Sequence, residues 1–455
     1  MITKLLILPL ISTRKTVWRE SDFVTWMQFA RQWPEITCFI PINKDAEIPD
    51  DCKLPNVRYI YLDHWHPYSA AQGYIGSELY ALFNPVNGKY QVDAVITSKN
   101  VIAANIKRMF KMSEALNIPV FIAEYWVQTP ISNDNSVETK LRAVSWSECR
   151  TFFPTAREKG FAITEARRYL SASSTQSIMD TGLIRSQGVP CELVQSIALD
   201  PEVSKFDKFT MLFAARFNSN KRWKEVLGAY EDIFRMGLDV EIKSVYPNSS
   251  ATRRDLDKFE KVQYLEPLPY MDYLKLMNQC HVSVSMSEDE GFSFGLSEQF
   301  CTGNPLLLPN LSWAYALVGK DYPFFYSSQS ELLALLKYCF ENYDEARKMV
   351  APIVAEFVEE HDIGVAAAGY LAIMNEDIAG SWTPFREWDD KFTAVVAELP
   401  EQFTLKEFAD LAAKKYDAGF GNYVILIGAH RNLHRWLVEN ADPVIGSANL
   451  YKKRS

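Results

Sequence analysis

The sequence predicts an α/β protein of two tandem parallel-sheet domains followed by a small helical module. Short apolar runs alternate with segments of 3.6-residue apolar spacing through most of the chain. The runs are continuously apolar, as expected for strands covered on both faces. From about Trp382 this alternation stops and capped helical patterns take over.

In the first block, Lys4–Ile11, Ile36–Ile42, Val57–Leu62, Val92–Thr97 and Pro119–Ala123 read as strands. Asp22–Gln32 and Val101–Leu116 read as helices. Ala162–Thr164 and Glu192–Ile197 also read as strands, and Leu199-Asp200-Pro201 as a hinge. The second block repeats the pattern, with strands Phe209–Ala215, Val240–Val245, Val262–Leu265, His281–Met286 and Pro305–Leu308. Its helices are Arg222–Met236, Tyr270–Gln279, Phe294–Cys301 and a closing set from Ser330. The expected domains are 1–203, 204–381 and 382–455.

The length of 455 residues suits two to three domains. The content, 48% hydrophobic and 23% charged, is that of an ordinary globular protein. No window approaches the roughly 18–20 apolar residues that cross a bilayer. Leu5–Ile11 follows Lys4 but precedes no small-residue cleavage site, so it reads as a strand rather than a signal peptide. Seven cysteines, an odd number, lie at 38, 52, 149, 191, 280, 301 and 339 without a metal-binding spacing. They read as reduced thiols of a cytoplasmic protein, and neither they nor the histidines suggest a metal.

Net charge is −9, which argues against a protein coated in basic surface. Residues 400–455 carry 8 Lys and Arg against 6 Asp and Glu, whereas the remainder carries 40 against 51. A locally basic end on an acidic body hints at a polyanion partner.

The most informative stretch is Ser287-Glu288-Asp289-Glu290-Gly291-Phe292-Ser293-Phe294-Gly295-Leu296-Ser297-Glu298, between an expected strand and an expected helix. Amides at a helix N-terminus suit a diphosphate, and Gly291 and Gly295 permit close backbone approach. A carboxylate in the loop can hold sugar hydroxyls, and one a turn inside the helix can take both hydroxyls of a ribose. Two glutamates eight apart are common by chance, and for the pair alone an exposed acidic loop is the plainer reading. Upstream, Phe213-Ala214-Ala215-Arg216-Phe217-Asn218-Ser219-Asn220-Lys221 places two cations after a strand. There they would neutralise a leaving group.

Together these segments resemble the E-x7-E signature of retaining GT-B glycosyltransferases. Gly303 and Pro305 stand five and seven residues after the second glutamate, as in that family. Arg216 and Lys221 match its strand-end Arg and the Lys five residues on. Val262–Pro267 stands where the family places its base-binding loop. The resemblance covers residues 190–375 well and 1–190 by architecture alone. Two features depart from it: Ser293 replaces a usual Gly, and Leu10-Ile11-Ser12-Thr13 lacks a Gly-rich turn.

The resemblance implies a GT-B fold of two Rossmann-like domains and no tightly bound cofactor or metal. It implies a nucleotide-sugar donor, UDP-linked by default. Catalysis would fall to Arg216, Lys221 and Glu290. The donor would lie against Arg216, Lys221, Leu265, Gly291, Phe292, Ser293, Phe294, Gly295, Leu296 and Glu298.

The acceptor is expected at the carboxyl ends of the first domain's strands. Asp63-His64-Trp65-His66 and Glu124-Tyr125-Trp126 are candidates, with His64 and Glu124 as the polar contacts; loop packing is the plainer reading of both. The end of the chain resembles a winged-helix module. Thr404–Lys415 would be its first helix, with Glu407 completing a capping box. Tyr423–Glu439 would be its recognition helix, stopped by Asp442-Pro443, and Val444–Tyr451 its wing. Arg431, His434, Arg435, Lys452, Lys453 and Arg454 would then touch DNA. A helical extension that mediates dimerisation is the alternative.

A glycosyltransferase with such a tail resembles the bacteriophage enzymes that glycosylate hydroxymethylated pyrimidines in DNA, in the cytoplasm of an infected host. The alternatives are a saccharide, lipid or small-molecule acceptor, or a non-catalytic relative that binds DNA.

Overall fold

A computed structural model describes residues 1–9, 21–62, 92–112, 118–124, 127, 137–245, 253–266, 268–378, 389–415, 441–443 and 450–453. Within them, the first domain holds strands β1 (Lys4–Leu8), β2 (Thr37–Asn43), β3 (Val57–Leu62), β4 (Ala94–Thr97), β5 (Val120–Ala123), β6 (Arg150–Phe153) and β7 (Leu183–Ile184). They form a parallel sheet in the order β3-β2-β1-β4-β5-β6-β7. Continuous apolarity has a direct structural cause here. Leu5 and Ile7 of β1 face one core with the helix Ser21–Gln32, while Leu6 and Leu8 face the opposite core.

The second domain holds β8 (Phe209–Phe213), β9 (Val240–Val245), β10 (Val262–Leu265), β11 (Val282–Val284), β12 (Leu306–Pro309) and β13 (Phe325–Tyr326). Their order, β10-β9-β8-β11-β12-β13, is also parallel. In each sheet the strand order reverses beside the first strand, between β1 and β4 and between β8 and β11. Open α/β sheets bind ligands outside the strand carboxyl ends at such a point.

Two segments read as strands are helical. Ala162–Thr164 lies inside the helix Ala156–Tyr169, whose Thr155 cap accepts from the Glu158 amide at 3.2 Å. That Thr-x-x-Glu pattern was a helix-start signal, and it outweighs a three-residue strand-like segment. Glu192–Ile197 lies in the helix Cys191–Ala198, which buries Cys191, Val194 and Ile197 in the second domain's core.

The chain therefore enters the second domain before the expected hinge at Leu199-Asp200-Pro201. The crossing runs beside the return path. The Val189 amide donates to the His361 carbonyl and the Ile363 amide to the Val189 carbonyl, each at 2.8 Å. After it, the helix Ile363–Ile378 packs on the first domain's core through Ile363, Ala366, Ala367, Tyr370, Ile373 and Met374. In sequence this helix lies within the expected second domain, but it covers apolar surface of the first.

Beyond residue 388, helices Asp389–Glu398 and Leu405–Lys415 accompany β14 (Gln402–Thr404), β15 (Ala441–Pro443) and β16 (Leu450–Lys453). The strands form an antiparallel sheet, β14-β16-β15. Phe392, Val395, Phe403, Phe408 and Ala412 are buried within this module and belong to none of the body's cores. The expected capping box forms: the Glu407 amide donates to Thr404 Oγ1 at 3.2 Å, and the Thr404 amide to Glu407 Oε2 at 2.7 Å. Asp442 and Pro443 lie in β15, and of the expected wing only its last two residues fall in a described strand. The expected recognition helix lies outside the described residues. Among the described residues, no helix is long and apolar enough to cross a membrane.

Candidate active site

The carboxyl ends of β8 and β11 bring the expected donor residues together. After β8, Phe217 is buried edge-on against Trp223, with ring centroids 4.7 Å apart, and pins the loop. The Asn218 side chain accepts from the Lys221 amide at 3.1 Å and closes a single turn, Ser219–Lys221. Arg222, at φ 47°, takes the left-handed conformation that starts the helix Trp223–Arg235. This path leaves Arg216 exposed, and among the described residues its guanidinium has no ion pair. Lys221 turns inward and pairs with Glu290.

The loop after β11 is stitched to the loop after β8. The Glu288 amide donates to the Asn220 carbonyl at 3.2 Å, and Asn220 Nδ2 to the Asp289 carbonyl at 3.2 Å. Trp313 Nε1 donates to the Ser287 carbonyl at 3.1 Å from below. Asp289 and Glu290 are consequently buried despite lying in an acidic loop.

Gly291, Phe292 and Ser293 then lead into the helix Phe294–Cys301. Phe292 is buried and packs edge-on to Phe294 at 5.4 Å. Ser293 occupies the cap position but makes no side-chain cap bond. The amides of Phe294, Gly295 and Leu296 precede the first intrahelical bond, from the Ser297 amide to the Ser293 carbonyl at 2.9 Å. They carry the helix's positive end next to Lys221 and Glu290.

One turn along, Glu298 is buried and accepts from the Tyr270 hydroxyl at 2.5 Å. Burial pushes its carboxyl up to about 7, against the opposing pull of that hydrogen bond. Gly303, at φ 71°, terminates the helix, and Pro305 leads into β12. The Gly and Pro that follow the second glutamate thus have a backbone reason: a left-handed residue to end a helix and a stiff entry to a strand. Leu265 is half-buried at the end of the edge strand β10.

Opposite, the first domain presents a polar network at the ends of β4, β5 and β6. Glu124 is only 3% exposed and accepts from Asn100 Nδ2 and, at 2.9 Å, from Trp146 Nε1. Its carboxylate serves to hold the turn after β4 rather than standing open to a ligand. Lys99, in that turn, is buried, which lowers the pKa of its ammonium. Glu158 accepts from the Val127 amide and is raised by burial to about 7, with Arg157 pulling the other way. His64 and its neighbours lie outside the described residues, as do Tyr125 and Trp126.

In the module, Lys452 is exposed and pairs with Glu401 at 3.4 Å. Lys453 lies in β16. Arg431, His434, Arg435 and Arg454 lie outside the described residues.

Sequence reasoning missed Arg157, Asn220 and Tyr270. Nothing local marks them, because each acts on a loop or helix 28 or more residues away. The Thr155–Glu158 cap marked the helix start at Ala156 but not that Arg157 reaches the second domain.

No family model and no curated protein matches the sequence. Solved structures do match in fold. Sucrose-phosphate synthase from Thermosynechococcus elongatus superposes with a TM-score of 0.61 at 12% identity, covering 83% of this chain and 100% of that one. HepE from Anabaena in complex with UDP-glucose gives 0.57 at 12%, covering 84% and 99%. An α,α-trehalose-phosphate synthase (UDP-forming) from Burkholderia vietnamiensis gives 0.60 at 12%, covering 84% and 99%. The two α/β domains of this chain have the GT-B fold of these proteins. The likeness covers nearly all of each of those chains.

Proposed function

We propose that this protein is a retaining glycosyltransferase using a UDP-linked sugar, and that its acceptor is a hydroxymethylated pyrimidine base in DNA. The observation that carries the transferase reading is the meeting of Lys221, Glu290 and the N-terminus of Phe294–Cys301 at the switch point of the second sheet. HepE, one of the proteins of like fold, was solved with UDP-glucose.

In this reading the diphosphate rests on the amides of Phe294, Gly295 and Leu296, with Arg216 and Lys221 neutralising it. Glu298 accepts the ribose hydroxyls, Leu265 lies beside the base, and Glu290 contacts the sugar. Lys221 exchanges part of its pairing with Glu290 for the phosphate. The bond from the anomeric carbon to the diphosphate oxygen breaks as the acceptor oxygen bonds to that carbon on the same face. The acceptor proton passes to the departing phosphate, so no protein nucleophile is needed. Arg216 and Lys221 lower the barrier by stabilising charge that grows on the leaving group.

The DNA acceptor is supported by the C-terminal module, with its capped helix, three-stranded antiparallel sheet and separate core. The net positive charge of residues 400–455 adds to that support. A base inside a duplex has to leave the stack to reach a sugar bound between the domains. The names of two proteins of like fold, sucrose-phosphate and trehalose-phosphate synthase, favour a second reading with a small saccharide acceptor.

The test is mass spectrometry of nucleosides from hydroxymethylpyrimidine DNA incubated with the protein and a panel of nucleotide sugars. A sugar mass on the base establishes donor, acceptor and reaction together. Donor hydrolysis without any addition to DNA keeps the transferase and moves the acceptor to a saccharide or small molecule. Neither reaction refutes both readings.

A further inference from the structure

We propose that Arg157 is a positioning residue that ties the placement of Glu290 to closure of the two domains; the inference rests on the transferase reading above. Arg157 is the second residue of the first-domain helix Ala156–Tyr169, yet its guanidinium reaches into the second domain. Nη1 donates to the Glu290 carbonyl at 2.8 Å, and Nη2 pairs with the Asp289 carboxylate. From behind, the guanidinium is held by Glu158 Oε1 at 2.6 Å and lies over the Phe161 ring, 4.5 Å from its centroid. The Arg157 and Asp289 side chains are each only 12% exposed, so their pairing is little screened by water.

The two ends of Glu290 are held from different domains. Its carboxylate pairs with Lys221 of its own domain, and its backbone carbonyl accepts from Arg157 across the cleft. Rotating the domains apart breaks the second contact and leaves the first. Only the closed arrangement therefore fixes both the backbone and the side chain of the residue aimed at the sugar. Asn220 secures the same loop from the second domain but bonds to Asp289 and Glu288, not to Glu290. A loop displaced by about 1 Å loses on the order of 100-fold in rate without losing its ligand.

The test uses the full chain with UDP for binding and UDP-glucose for turnover. Arg157→Gln is expected to lower UDP-glucose hydrolysis by about 10- to 100-fold. Its UDP dissociation constant should stay within about threefold, because the diphosphate and ribose contacts are made elsewhere. Arg157→Lys, which keeps the charge but loses the fork, should recover part of the turnover. Adding Asp289→Asn to Arg157→Gln should cost little more, since both remove one contact. Wild-type turnover in Arg157→Gln overturns the proposal. So does a parallel collapse of UDP affinity and thermal midpoint in both Arg157 variants, which marks a merely structural residue. A wild-type chain that neither binds UDP nor hydrolyses any nucleotide sugar refutes the transferase reading, and with it the role of Arg157, before any variant is compared.

Discussion

Tyr270 donates its phenolic hydrogen to Glu298 Oε1 across 2.5 Å, joining the helix Tyr270–Gln279 to the helix that begins at Phe294. Tyr270 is itself half-buried, and desolvation beside Glu298 pushes its hydroxyl far up, so it stays protonated and able to donate. Glu298 thus has one oxygen satisfied and one left for a ligand.

If Glu298 takes the ribose as proposed, donor binding depends on pH. The Glu298 carboxyl rises from 4.5 to about 7 on folding. The folded chain therefore holds this proton more tightly than the unfolded chain does. The group's contribution to stability is complete below the unfolded value and is lost as pH rises through the folded one. Ribose hydroxyls need the ionised carboxylate as acceptor. UDP-glucose affinity should therefore increase from about pH 6 to pH 8 and then level off. Glu298→Gln should weaken binding and flatten the profile. Calorimetry across that range decides it, and a flat wild-type profile removes Glu298 from the donor site.

Lys221 is paired with Glu290. Glu290→Gln should release Lys221, so UDP should bind as tightly as before or more so. Turnover should fall about 100-fold as the sugar contact is lost. Arg216→Ala should lower turnover by a similar order while weakening UDP binding as well, if its charge acts on the phosphate as proposed. Parallel steady-state and binding measurements separate the two. Identical behaviour of both variants contradicts the assigned division of roles.

Gly188 stands at φ 74°, where the chain crosses between domains. A Cβ there would sit 2.7 Å from Ala366 Cβ and 2.9 Å from Ile363 Cα, on the returning helix. Gly188→Ala should cost about 2–5 kcal/mol, combining left-handed strain with overpacking. Chemical denaturation measures it. A loss under about 1 kcal/mol would show that the crossing yields easily.

The C-terminal module buries its own apolar residues. Deleting residues 382–455 should leave UDP-glucose hydrolysis within about twofold, as expected for distant, independent units. Transfer to duplex DNA should fall far more, and its salt sensitivity should shrink. Equal loss of both activities would make the module a structural part of the body.

Much of the candidate site was legible in the sequence because its layout is local. Arg216 to Lys221, and Glu290 through Glu298 to Gly303 and Pro305, are short spans across single strand–loop–helix junctions. The Thr404–Glu407 cap was legible for the same reason. The helix containing Ala162–Thr164 was misread because a short apolar run satisfies both periods, and its Thr155 cap was given no weight.

By itself, the sequence determined the alternation of strands and helices, the two sheets and the spacing of the candidate donor residues. These follow from side-chain periodicity and from hydrogen bonds made within a few residues. Tertiary structure alone decided that Ile363–Ile378 covers the first domain and that the crossing occurs near Gly188. It alone set Arg157 against Asp289, 132 residues away, and turned Glu124 inward. Such contacts depend on which surfaces meet when the chain closes on itself, and no local pattern of residues encodes that meeting.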